Sequence, residues 1–470
     1  MNHNKKNLVI ISIPFQRLIR SHLSPMVIDT LTSQSELLIV SNLANDLKFC
    51  ENYQINGVKI LAPPSLDNIS LIERGFFLVS GMLRLRGFWF SKRREIPYFW
   101  AKRHIIFGEN GNDKKVGFFY RQIINLLGIL GSSVKVFRFF DAVHGRWTYS
   151  FPELFKIVKD YNQITLIQTA SWGFQDATLG YWARTNACRK VLLPYTTDQL
   201  CNNGWLYCDF DKVCAQGERE YFFAKNRHNL KAENIDRLGS LNLFSMRKAL
   251  NSMFEKKSQH KKKGVSILFS GSVATFFPSE SEFSCLEILL DYIEKNEFGE
   301  VHVNYRPLFI NKRIESLIAE RFQNRANLTI QCADEGVYGL DSYVDSSWFD
   351  IVKKHNQSLL NHDLLVCAFG SSLAIDCAAL GIPSVFYMGD ATGTLRKRKS
   401  HLLLDEDGRF DSIKSTPIEH DMQLLVKRIK RILDSKQERD KIVNGILNEW
   451  DYNSNDLLMR LKVAVFENKS

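Results

Sequence analysis

The chain has 470 residues, 45% of them hydrophobic and 24% charged. That length exceeds one ordinary core and suits two domains with a terminal extension, while the composition excludes a largely disordered chain. Lys and Arg outnumber Asp and Glu by 62 to 51. The resulting +11 favours anionic partners (phosphates, nucleotides, nucleic acid, acidic lipid) without choosing among them.

Met1–Lys6 is polar, and Leu8–Ile13 is too short an apolar run before Pro14 to be a signal h-region. With nine cysteines, an odd number, reduced thiols and a cytoplasmic location are expected. Cys201, Cys208 and Cys214 cluster, but their gaps fit no usual zinc pattern, so ordinary half-buried thiols are expected there.

Leu8–Ile13 opens a series of short apolar strands, with a helix expected over Ser24–Ser33 and further strands at Leu37–Ser41 and Gly57–Leu61. The pattern returns at His104–Phe107, Lys135–Phe139, Thr165–Thr169, Lys190–Leu193 and Lys212–Ala215. Buried strands alternating with helices are the pattern of a parallel sheet covered on both faces. Met246–Lys263, polar and strongly basic, reads as the connection between domains. A second series follows: strands at Val265–Phe269, Val301–Asn304, Leu328–Gln331, Leu364–Ala368 and Ser384–Tyr387, with helices over Ser284–Lys295, Lys312–Phe322 and Ser372–Leu380. Helices are also expected from Asp421 to about Leu433, where Leu424, Leu425, Ile429 and Ile432 make an apolar stripe, and through Ile442–Trp450 and Asn455–Phe466. The expected organisation is an N-terminal Rossmann-like domain over 1–245, a basic linker over 246–263, a second Rossmann-like domain over 264–435 and a helical extension over 436–470. The fold class is therefore α/β.

Leu364–Tyr387 is the most informative segment. An apolar strand runs into Gly370-Ser371-Ser372 and then into a helix of small residues. Free backbone N–H groups and the positive end of the helix dipole at such a turn favour a phosphate, and Ser371 and Ser372 add hydroxyl donors. Asp376 lies one helical turn beyond Ser372, where a carboxylate can accept both hydroxyls of a ribose. Gly381-Ile382-Pro383 then stops the helix. The same breaks, with Asp376 among them, exclude a membrane span over Leu364–Met388. A plain βαβ crossover with a capping serine would give the same local pattern.

The segment resembles the donor-nucleotide motif of GT-B glycosyltransferases, in which a strand, a Gly/Ser turn, an acidic residue and Gly-x-Pro recur in this order. The usual acidic residue is Glu, and Asp376 is a shorter arm. Ile267–Ser272, ending in Gly271 and Ser272, is similar to the loop that faces the sugar-phosphate cleft in that family. Asn304-Tyr305-Arg306-Pro307 is similar to the Arg/His-Pro element of capsule, teichoic-acid and surface-polysaccharide transferases, and Arg306 can pair with a diphosphate bidentately. Ser171–Asp176, Asp211–Cys214, Gly217–Phe222 and Leu238-Gly239-Ser240 resemble, more loosely, the end of the acceptor domain. The resemblance implies two Rossmann-like domains facing a cleft, with the nucleotide-sugar donor on Gly271, Ser272, Arg306, Gly370, Ser371, Ser372 and Asp376. It implies no bound metal and no cofactor beyond the nucleotide-sugar co-substrate; helix N-termini, Arg306 and the basic run Arg396–Lys399 would carry the leaving-group charge.

An inverting transfer needs a base for the acceptor hydroxyl. Asp176, beside an aromatic glycine turn, is the favoured candidate, with His22 the second and Asp141 with His144 a third. Asp209-Phe210-Asp211 matches the D-x-D of the other major transferase fold, GT-A, which would not give two α/β halves. Arg84–Arg103 interleaves basic and aromatic residues, suiting an anionic membrane interface on the cytoplasmic side, single-stranded nucleic acid, or a helix with a buried aromatic face. The expected function is a glycosyltransferase of surface-polysaccharide assembly, capsule or lipopolysaccharide, with a glycan or lipid-linked acceptor and no nucleic-acid partner. The alternatives are a non-hydrolysing nucleotide-sugar epimerase and a non-catalytic anion or nucleic-acid binder on the same scaffold.

Overall fold

The computed structural model describes residues 6–54, 57–90, 118–171, 173–195, 199–202, 204–254, 264–271, 279–295, 300–307, 312–330, 347–368, 371–389, 414–450 and 456–467. His104–Phe107, Trp172, Ser272, Gly370 and Arg396–Lys399 lie outside them. The chain divides into two units, Met1–Gly239 with Asn455–Ser470, and Ser240–Ser454.

Unit 1 holds a seven-stranded sheet of β1 (Lys6–Ile13), β2 (Glu36–Ser41), β3 (Val58–Leu61), β4 (Tyr161–Gln168), β5 (Arg189–Leu192), β6 (Lys212–Ala215) and β7 (Ile235–Arg237), in the order β3-β2-β1-β4-β5-β6-β7. Every pairing is parallel, with Ile10 opposite both Leu38 and Leu166. Its helices are α1 (Ile19–His22), α2 (Pro25–Thr32), α3 (Leu47–Tyr53), α4 (Leu71–Phe90), α5 (Phe118–Leu130), α6 (Val134–Thr148), α7 (Pro152–Val158), α8 (Phe174–Thr185), α9 (Gln199–Asn202) and α10 (Glu218–Asn226). Leu8 to Ile11 are all buried, as a strand covered on both faces requires.

Unit 2 holds a six-stranded parallel sheet of β8 (Val265–Ser270), β9 (Val301–Arg306), β10 (Leu328–Ile330), β11 (Leu364–Ala368), β12 (Ser384–Tyr387) and β13 (Ile418–Glu419), in the order β10-β9-β8-β11-β12-β13. Its helices are α11 (Leu241–Phe254), α12 (Ser279–Glu294), α13 (Lys312–Phe322), α14 (Trp348–Leu360), α15 (Leu373–Ala379), α16 (Met422–Asp434) and α17 (Lys436–Trp450); α18 (Leu457–Phe466) returns to unit 1. All of β11 and β12 is buried. After α15, Gly381 adopts φ +77° and Ile382 N–H donates to Cys377 O at 2.9 Å, so the Gly-Ile-Pro stop is a left-handed helix end.

Three sequence expectations shift. Lys135–Phe139 is part of helix α6, because Phe137, Asp141, His144, Gly145 and Thr148 form a buried stripe at helical spacing that outweighs the short alternation. The division falls at Gly239/Ser240, earlier than the basic stretch over 246–263. Met246, Ala249 and Leu250 are buried, and α11 packs on α14 and α15. The C-terminal stretch 436–470 is shared: α17 packs on α15 in unit 2, while α18 packs on α2, β4 and β6 in unit 1.

Thr165 Oγ1 donates to Val465 O at 3.2 Å, and Arg189 donates to Ala464 O at 2.7 Å, fixing the end of α18 against the sheet. Leu461→Ala, at a fully buried position of α18, should therefore destabilise unit 1 by about 2–5 kcal/mol. Hydrogen exchange would show protection lost in β1 and β4 while β8 and β11 keep theirs.

Candidate active site

In an open parallel sheet, ligands bind outside the C-terminal strand ends where the strand order reverses. In sheet 2 that point lies between β8 and β11. Ser270 of β8 stands opposite both Cys367 of β11 and Arg306 of β9, and Gly271 N–H donates to Arg306 O at 2.9 Å. The fold thus sets Gly271, Arg306 and the start of α15 at the ends of adjacent strands. These are three parts of the expected donor site, separated along the chain and joined by strand register.

A Cβ at Gly271 would lie 2.2 Å from Glu282 Oε1, so a side chain there would force that carboxylate to shift. Glu282 is buried on α12 and accepts a hydrogen bond from the Tyr305 hydroxyl, and burial together with that carboxylate raises the phenol's pKa. Arg306 is buried to 7% exposure. Its charge reaches the Cys377 thiol of α15 and opposes the upward pKa push that burial gives that thiol. Ser371 Oγ accepts from Leu373 N–H at 3.1 Å and shapes the turn. Ser372 caps α15 through its backbone position, and its exposed side chain makes no cap bond.

Asp376 is buried, and its environment differs from a ribose site. Asn242 of α11 donates to Oδ1 at 2.6 Å, and His355 Nε2 of α14 meets Oδ2 at 2.9 Å. Asn356 Nδ2 adds a bond to Met246 O at 3.2 Å. The carboxylate joins three helices. Sequence reasoning missed His355, Asn242 and Glu282; the first two reach Asp376 across 21 and 134 residues of chain, and no local pattern marks either.

Sheet 1 reverses its order between β1 and β4, and His22 and Asp176 follow those two strands. Both are buried. Asp176 Oδ2 accepts Gly173 N–H at 3.0 Å, an N-terminal cap for α8. His22 Nδ1 meets Ser21 Oγ at 2.7 Å and Nε2 meets Leu193 O at 3.1 Å, and burial pushes its pKa down to about 4. Gln175 Nε2 donates to Ser12 Oγ at 2.8 Å and to Val40 O at 3.0 Å, tying the same strand ends together.

Asp141 and His144 lie inside the helical layer. Asp141 accepts from Ser80 at 3.0 Å and from Arg184 at 3.2 Å, and burial raises its pKa against the Arg184 charge. Burial and the same Arg184 hold His144 at about 4. Asp209 pairs with Arg138, and Asp211 accepts Lys190 N–H at 2.7 Å, so both carboxylates of the D-x-D serve the scaffold. Cys208 and Cys214 are buried, the Cys208 thiol being pushed up to about 12 by burial. Among the described residues no group of three or more His, Cys, Asp or Glu could hold a metal. A cavity of about 200 Å³ opens beside Asn7, Gln163 and Arg189 at the N-terminal strand ends of sheet 1, the edge opposite to the candidate residues.

No family model matches the chain, and no curated protein does. Among solved structures it is similar to UDP-N-acetylglucosamine 2-epimerase, at 10% identity and a TM-score of 0.52, with 99% of this chain and 97% of that one covered. The chain has the GT-B fold. Its two parallel-sheet units and helical C-terminus are the parts of that fold. It is also similar to the wall teichoic acid polymerase TagF (9% identity, TM-score 0.43, 99% and 88% covered) and to the lipopolysaccharide outer core galactosyltransferase WaaB (9%, 0.43, 98% and 99%). A GT-B fold serves both transferases and epimerases, so the function rests on the site.

Because His22 has a folded pKa of about 4 against an ordinary 6.5, the unfolded chain takes up a proton that the folded unit refuses. Unit 1 should be fully stable above about pH 6.5 and lose up to about 3 kcal/mol from this residue as the pH falls toward 4. Acid titration followed by hydrogen exchange should show that slope, and His22→Gln should flatten it.

Proposed function

We propose that the chain is a cytoplasmic glycosyltransferase of surface-polysaccharide assembly. It moves a sugar from a nucleotide-sugar donor to a glycan or lipid-linked acceptor and uses no metal ion. The observation that carries this reading is Arg306, set by strand register beside Gly271 at the order-reversal point of sheet 2.

In this reading the guanidinium pairs with the donor diphosphate through two parallel charge-assisted bonds. Ser372 and the amides that open α15 take the remaining oxygens, and Gly271 lets the donor approach the end of β8 closely. As the glycosidic bond breaks, negative charge builds on the leaving diphosphate. Arg306 and the oriented amides are already in place to stabilise it, which lowers the barrier without a cation. Ser272 and Gly370 belong to the same proposed donor site by sequence. Asp376 acts through α15, holding its first turn in position.

For the acceptor hydroxyl, Asp176 and His22 are the proposed candidates for the base, both following strands at the order-reversal point of sheet 1. Asp176 is the favoured one: a single one of its oxygens takes the Gly173 N–H, whereas both His22 ring nitrogens are engaged, Nδ1 by Ser21 Oγ and Nε2 by Leu193 O.

A second reading is supported by the similarity to UDP-N-acetylglucosamine 2-epimerase over nearly the full length of both chains. An epimerase converts its nucleotide-sugar alone, whereas a transferase releases nucleotide only when acceptor is supplied. Product analysis with and without a glycan acceptor fraction separates the two.

Thermal-shift measurements against UDP, GDP, CMP and CDP should identify one that raises the melting temperature. Arg306→Ala should weaken that nucleotide about tenfold or more, the loss of a charge-assisted pair. Failure of all four nucleotides to stabilise the wild-type protein would remove both enzyme readings.

A further inference from the structure

The crossover from β3 to β4 is far longer than one helix and carries α4, α5, α6 and α7. Helix α4 packs on both α5 and α6. Their inner faces are ordinary core: Leu83, Phe88 and Phe137 cluster with Trp205 and Tyr207, and Leu127 and Val134 pack against them. Their outer faces are not ordinary. Helix α5 exposes Ile123, Leu126, Ile129 and Leu130; α6 exposes Phe139, Val143 and Trp147; α4 exposes Leu71, Ile72, Phe76 and Val79. Trp147 is 68% exposed and Phe139 65%. Phe76 stacks on buried His144, with ring centroids 6.3 Å apart, so the exposed stripe of α4 borders α6. Helices on a water-facing surface carry polar residues there, and apolar patches of this kind mark an interaction site.

The charges that α5 and α6 expose have one sign, and the one acid of α4, Glu73, lies in that helix's first turn. Helix α5 contains no Asp or Glu, and the single acid of α6, Asp141, is fully buried on Ser80, Tyr149 and Arg184. Exposed Lys135 and Arg146 stand toward the two ends of the α6 stripe, around Phe139, Val143 and Trp147. A self-complementary contact with a second copy would bring these like charges together. An anionic lipid surface answers both features: aromatic and branched side chains enter the headgroup–acyl boundary while Lys and Arg meet the headgroups. Among the described residues no helix is long and apolar enough to cross a membrane, so the arrangement fits lying on a bilayer.

We propose that the outer face of α4, α5 and α6 seats the protein on an anionic membrane surface. The face differs from the beginning of the basic-aromatic stretch Arg84–Arg103. Arg84 is buried, donating to Ser171 O at 2.8 Å and to Trp205 O at 3.1 Å, and Phe88 is buried beside Trp205, so neither reaches lipid.

The test is flotation of the full chain with vesicles of phosphatidylcholine alone or mixed with phosphatidylglycerol, at low and physiological salt. Wild type should float with the mixed vesicles and less at higher salt. Phe139→Ser with Trp147→Ser, and separately Lys135→Glu with Arg146→Glu, should each weaken binding about tenfold or more, at about 1 kcal/mol per basic residue and a comparable amount per exposed apolar side chain. These positions are exposed, and an unchanged melting temperature verifies folding. Wild type that stays unbound at low salt, or variants that float as well as wild type, would overturn the proposal. So would a concentration-dependent dimer without vesicle binding that Phe139→Ser with Trp147→Ser converts to monomer, since a second copy would then be the occupant.

Discussion

The Asp376 carboxylate is the interaction on which unit 2 depends. It is buried between Asn242 and His355, so α11, α14 and α15 converge on one charged group. Helix α15 is only two turns long and has little intrinsic stability. Its direction is fixed by that anchor on one side and by the buried strands β11 and β12 on the other. The anchor therefore sets where the first amides of α15 point. A breach leaves a buried carboxylate or imidazole without its partner, which typically destabilises by about 3–5 kcal/mol.

The repeated strands were legible because each is an apolar run bounded by turn residues, and burial on both faces leaves that mark in any sequence. In the segment from Leu364 to Tyr387 the strand, the helix and the glycine stop were legible, since each has local chemistry. Lys135–Phe139 misled because alternation over a few residues fits a strand as well as one side of a helix. Only the longer stripe from Phe137 to Thr148 separates the two. The start of unit 2 was hidden for a different reason. Helix α11 is basic and polar in the window that drew attention, while the contacts that assign it to unit 2, through Asn242 and Met246, come from residues more than a hundred positions away.

The same difference explains the candidate carboxylates. A sequence shows that Asp176 follows an aromatic glycine turn and that Asp376 lies one turn into a helix, and both positions suit chemistry. It does not show that Gly173 N–H, Asn242 and His355 already use their oxygens. Buried acids near strand ends are often the braces that hold a ligand edge rigid. Arg306 is placed by strand register, and its charge is felt at the Cys377 thiol of α15.

A GT-B scaffold fixes two parallel sheets and their C-terminal edges; what distinguishes one member from another is grafted onto the crossovers. Here the long β3-to-β4 crossover carries both a sealed polar cluster around Asp141 and an outer face of aromatic and aliphatic side chains. The two belong together. Three helices that expose apolar stripes to water gain little from packing on that side, so their mutual arrangement must be held from within. Ser80 of α4 and Asp141 of α6 bond directly, with Arg184 of α8 on the other carboxylate oxygen, while α5 packs through Leu127 on the apolar cluster beneath. The Coulomb attraction there is strong, and the desolvation of Asp141, visible in its raised pKa, is the opposing term. The layer thus keeps its shape independently of whatever covers its face, which is the condition for a surface that binds and releases without unfolding.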